Sequence, residues 1–160
     1  MITNYPINEL VPHSGTMSLL DKVVEYEDDW LIAEVNIRPD TLFLADNVVP
    51  AWIGIEYMAQ TIAAFAGIHA KAEQQDVKVG FLLGTRKYAS SKSHFVLGSC
   101  LKIRVEKEMQ SEAGLGVFNC SITCDNNIDS EQELLITARL NVFQPNDAEQ
   151  FFKDEGLKSE

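Results

Sequence analysis

The sequence predicts an α+β domain in which an antiparallel sheet wraps around one long helix. Three observations lead there: two strand-like runs near the start, a long apolar helical run in the middle, and four strand-like runs after it. The helix is the run from Val49-Pro50-Ala51-Trp52 through Ala63-Ala64-Phe65-Ala66-Gly67, continuing to about Lys71. It is rich in good helix formers, with Pro50 and Gly54 only at its entry. It is apolar on nearly every side, which predicts burial nearly all round. Ala59, Ala63, Ala64, Ala66 and Gly67 would let a sheet approach it closely.

The flanking runs follow from alternation and turn residues. Asn4 to Val11 suits a short helical turn with Pro6 early in it, and Pro12-His13-Ser14-Gly15 reads as a turn. Met17 to Tyr26 and Trp30 to Ile37 form a hairpin across Glu27-Asp28-Asp29. Arg38-Pro39-Asp40 closes that unit, and Thr41 to Val49 is an irregular passage into the helix. After the helix come a polar link over Glu73 to Asp76, a strand over Val77 to Tyr88 and a Ser-rich loop from Ala89 to His94. Leu101 to Met109, Gly116 to Cys124 and Leu134 to Phe143 complete a meander. Residues 1–143 therefore make one domain, and Gln144 to Glu160 an acidic tail with a loose helix over Asp147 to Lys153.

At 160 residues the chain is long enough to bury a core without staples. Three cysteines, an odd number with no metal-ligand spacing to histidine, read as reduced core thiols and predict a cytoplasmic setting. No run reaches membrane-spanning length, and a net charge of −11 argues against nucleic acid. The charge is uneven: no acid lies between Asp76 and Glu106, where Lys78, Arg86, Lys87, Lys92, Lys102 and Arg104 fall. A basic patch on an acidic body suits an acidic protein partner.

Glu56 is the one chemically loaded position in the helix. A carboxylate in such a stretch is costly unless it is paired, and Gln60 stands one turn on, within reach. The run Pro50…Ile55-Glu56-Tyr57-Met58-Ala59-Gln60 resembles the central-helix motif of the hot-dog-fold 3-hydroxyacyl-acyl-carrier-protein dehydratases: a proline, then six residues on a catalytic acid opening Glu-x-Met-Ala-Gln. Leu10-Val11-Pro12-His13 with Met17-Ser18-Leu19-Leu20-Asp21-Lys22-Val23, and Phe95-Val96-Leu97-Gly98-Ser99-Cys100-Leu101, resemble two further family segments. The most similar branch is that of the dehydratase-like proteins of aryl-polyene-type pathways.

The resemblance implies a hot-dog fold and dehydration of 3-hydroxyacyl thioesters on acyl carrier protein, without metal or organic cofactor. It also implies a dimer, either a homodimer or a heterodimer with another hot-dog subunit. Glu56 would be the catalytic carboxyl, and the backbone N–H groups of Ala51 and Trp52 at the helix start would polarise the thioester carbonyl. The family's catalytic histidine precedes the helix; Leu42-Phe43-Leu44-Ala45-Asp46-Asn47-Val48-Val49 stands there instead and contains none. His13 is the candidate replacement, and Gln60 an orienter of Glu56. Asp46 could substitute for the histidine or position a water, or simply make a turn with Asn47. Two other functions stay open: an acyl thioesterase using the same carboxyl on water, and a catalytically weak partner subunit of a dehydratase heterodimer.

Overall fold

A six-stranded antiparallel sheet curls around one helix. The structure, a computed structural model, describes residues 1–12, 17–76, 80–125 and 132–145. In chain order the elements are α1 (Ile7–Leu10), β1 (Lys22–Tyr26), β2 (Trp30–Asn36), β3 (Val48–Pro50), α2 (Gly54–Ala72), β4 (Phe81–Ser90), β5 (His94–Val96), β6 (Cys100–Gln110), β7 (Leu115–Asp125) and β8 (Gln132–Phe143). A 3-10 turn, Ala51–Ile53, leads into α2. The sheet order is β1-β2-β6-β7-β8-β4, and β3 and β5 pair separately.

Alternation puts one face of each long strand on the helix. Register then aligns the inward residues in rows: Ala33 opposite Ile103, Ile103 opposite Ile122, and Ile122 opposite Ile136. A second row runs Leu31, Val105, Cys120 and Ala138 in the same way. All eight side chains are buried and belong to one core with Tyr57, Met58, Phe65 and Ile68 of α2. Two glycines set how closely α2 can sit. A Cβ on Gly54 would lie 3.0 Å from both Ile122 Cδ1 and Ile136 Cδ1. One on Gly67 would lie 1.9 Å from the carbonyl oxygen of Leu10, so α1 can cross α2 there only because the side chain is missing.

Several expectations need adjusting. The first strand begins at Lys22, because the segment before it is tied to α2 instead: Leu19 N–H donates to the side chain of Gln60, which in turn donates to the Met17 carbonyl. The Ser-rich loop is shorter, since β4 runs on to Ser90. The passage before the helix ends in β3, which pairs with β5 through Val48 with Val96 and Pro50 with His94. Three-residue strands carry too little alternation to be read from sequence. Cys100, Cys120 and Cys124 are free thiols. Burial pushes the Cys120 thiol up to about 12. No described helix is long and apolar enough to cross a membrane. His13, Lys78 and the tail from 146 to 160, with its expected helix, lie outside the described residues.

Candidate active site

The helix is not buried all round. Glu56, Ala59, Ala63, Ala66 and Ala70 are half-buried at spacings of three and four, so they form one stripe along α2. This stripe is one wall of a cavity of about 720 Å³. Phe65 and Phe118 form part of the wall, meeting edge to face with ring centroids 5.6 Å apart. Phe81 and Leu82 of β4 and Phe143 of β8 close the other side. Toward Glu73 the lining turns polar, with Lys107, Gln110 and Glu112. Such a volume, with an apolar stretch beside a polar one, is within the range of small-molecule sites.

Glu56 sits on this stripe and its carboxylate is held from behind. Gln60 is fully buried, and its Nε2 donates to Glu56 Oε1 at 3.2 Å and to the Met17 carbonyl at 2.8 Å. Its Oε1 accepts from Leu19 N–H at 2.8 Å. Both backbone bonds fix the amide one way round, so Gln60 can only donate to Glu56. Gln60 therefore does not line the cavity; it orients the residue that does.

The other candidate residues are placed differently. Ala51 is buried away from the cavity. Its N–H donates to Ser93 O at 3.0 Å, and its carbonyl accepts from the Tyr88 hydroxyl. Trp52 is 64% exposed and outside the cavity lining. Asp46 is exposed and also away from the lining. With Asn47 it forms a tight turn, φ being 52° and 64°, closed by reciprocal bonds between Ala45 and Val48. This is the turn reading of that pair, and Asp and Asn are among the residues that tolerate the left-handed region.

The basic run does not make one patch either. Lys102 pairs with Glu34, and Arg104 with Glu106. The Lys102 hydrogen bond holds the Glu34 carboxyl down at about 2. Among the described residues no cluster of His, Cys, Asp and Glu could hold a metal.

The family model of the ApeP dehydratase matches residues 5–153, which takes in Glu56, Gln60 and every described element. The chain belongs to the ApeP-like dehydratase family. Among curated proteins it is similar to the 3-hydroxyacyl-(acyl-carrier-protein) dehydratase FabZ of Acinetobacter baylyi, at 24% identity over 82% of this chain and 90% of that protein. It is also similar to FabZ of Anaeromyxobacter sp., at 30% identity over 67% and 72%. Among solved structures it matches a chain of the dehydratase heterocomplex ApeI:P from Xenorhabdus doucetiae with a TM-score of 0.84. That match has 30% identity and covers 95% of this chain and 99% of the other. A hypothetical thioesterase from Streptococcus pneumoniae, solved with coenzyme A, shares the fold at a TM-score of 0.57 and 13% identity over 77% and 84%. The fold is thus the hot-dog fold, and the ApeP-like chain is of the dehydratase kind.

The cavity wall beyond Glu56 is only partly readable from the sequence. Its signal was present in the alanines at 59, 63, 66 and 70, which continue the face that Glu56 opens. The aromatic wall had no such signal, because it is assembled from α2, β4, β7 and β8.

Proposed function

We propose that this ApeP-like chain dehydrates 3-hydroxyacyl groups on an acyl carrier protein to trans-2-enoyl groups, working as one of a pair of hot-dog subunits. The observation that carries this reading is the Glu56 carboxylate, held by Gln60 on the helix face that walls a cavity with apolar residues (Ala59, Ala63, Phe65, Phe81, Phe118, Phe143) beside it. The elimination removes a proton from C2 and the hydroxyl from C3. The C2–H electron pair becomes the C2–C3 double bond, and the hydroxyl leaves with a proton as water. Glu56 exchanges one of these protons with the substrate.

His13 handles the other proton in this reading. Pro12 lines the cavity and the Met17 carbonyl is bonded to Gln60, so both ends of the segment that carries His13 are anchored beside α2. Ala51 N–H is taken by Ser93 and Trp52 lies outside the cavity lining, so this reading assigns no carbonyl clamp to the helix start within the subunit.

A second reading is a partner subunit with little activity alone. It is favoured by the absence of histidine from residues 42–49 and by the likeness to a chain of a dehydratase heterocomplex. One experiment separates the two. Purified chain is incubated with a 3-hydroxyacyl carrier protein, alone and with a second hot-dog subunit, and the carrier is weighed by mass spectrometry. Loss of one water with the chain alone supports the dehydratase; loss only in the mixture supports the partner subunit. A deacylated carrier would instead identify a thioesterase and refute both.

A further inference from the structure

The edge of the sheet carries a charge that no described residue answers. β4 is the last strand, paired only with β8, and its ten residues contain no acid. Arg86 and Lys87 are exposed on it. Among the described residues every other basic side chain has a carboxylate within ion-pair distance, except Lys71, which lies over the Tyr5 ring. Arg86 and Lys87 have neither. Arg86 also stands directly opposite Arg139 of β8, whose guanidinium is already held by Glu108 at 3.0 Å. Like charges facing across strands disfavour the pairing unless a third group neutralises them.

The same edge is otherwise suited to a partner. Leu82 and Leu83 are 41% and 59% exposed on it, and Phe81 and Leu82 border the cavity, so a strand laid along β4 would wall that side of the site. A long exposed edge is a template for another chain, and charges and bulges on it restrict which chains can pair there. β4 has two register breaks, Leu82/Gly84 and Arg86/Ala89, with Lys87 at a φ of 54° in the second. In a twofold self-pairing each copy presents the same strand to the other. Centred near the middle of β4, it would gather two Arg86 and two Lys87 with no acid from either edge.

We propose that Arg86 and Lys87 on the open β4 edge select a non-identical hot-dog subunit with an acidic edge strand and reject a second copy of this chain. This rests on the reading that the chain works as one of a pair of subunits, and it names the chemistry of the other.

The test counts subunits and uses no substrate. Wild type and the double variant Arg86→Glu, Lys87→Glu carry tags of different mass, are mixed in equal amounts, and are examined by native mass spectrometry. At low salt the mixed pair should exceed either matched pair by roughly tenfold or more, and the excess should fall as salt is added. The neutral variant Arg86→Gln, Lys87→Gln should self-pair more than wild type, which keeps the test decisive if the reversed variant does not fold. A statistical distribution, a tight wild-type homodimer indifferent to salt, or no mixed pair would overturn the proposal. So would an acidic carrier protein that binds through these residues while the pair distribution stays unchanged. Mixed pairs in a chain that shows no dehydration would count against the proposed activity alone.

Discussion

Replacing Gln60 by Met tests whether one buried amide holds the site together. Met fills nearly the same volume but neither donates nor accepts at the amide positions, so three hydrogen bonds are lost: Leu19 N–H, the Met17 carbonyl and Glu56 Oε1. Two half-buried backbone groups without partners cost about 1 kcal/mol each, and the bond to a charged carboxylate roughly another 1.5 kcal/mol. Burying the Met side chain returns about 1 kcal/mol. The net loss should be about 2.5 kcal/mol by urea unfolding. Turnover in the dehydration assay should fall roughly ten- to a hundredfold, because Glu56 loses its orientation while the apolar wall that binds the chain stays intact. KM should change far less. A stability loss under about 0.5 kcal/mol, as for an ordinary surface position, would refute the clamp.

Gly67→Ala should destabilise by about 2 kcal/mol or more despite a gain of about 1 kcal/mol in helix propensity, because its Cβ would sit 1.9 Å from Leu10 O; thermal unfolding checks this. Glu34, held at about 2 by Lys102, should support stability fully above pH 4.5 and lose that support as the pH falls toward 2. Its folded value lies below its unfolded one, so Glu34→Gln should flatten the decline in unfolding free energy between pH 5 and 2. Cys120, with its thiol raised to about 12 by burial, should resist alkylation in the native protein while the half-buried Cys100 and Cys124 react; peptide mass mapping after labelling reads this out.

The fold was legible in the sequence because its signals are local and long. Nineteen apolar-rich residues mark the long helix, and the eleven-residue β6 shows its alternation along its first half. What escaped were features set by tertiary contact: the three-residue β3 and β5, the displaced start of β1 and the engagement of Ala51 by Ser93. The site was half legible. Glu56 and Gln60 could be paired from one turn of helix, and the bonds of Gln60 to Met17 and Leu19, more than forty positions away, could not. A basic run in sequence dispersed because Glu34 of the neighbouring β2 takes Lys102 and Glu106 of the same strand takes Arg104, which left Arg86 and Lys87 as the unanswered pair among the described residues.

The most direct test of the role of Glu56 is mass spectrometry of a 3-hydroxyacyl carrier protein incubated with the chain, beside Glu56→Gln, each with a competent hot-dog partner present. The amide keeps the shape of the carboxyl but cannot exchange the proton. Loss of one water with wild type and an unchanged carrier with Glu56→Gln is the predicted result. Equal water loss from both would contradict it and move the chemistry to the partner subunit.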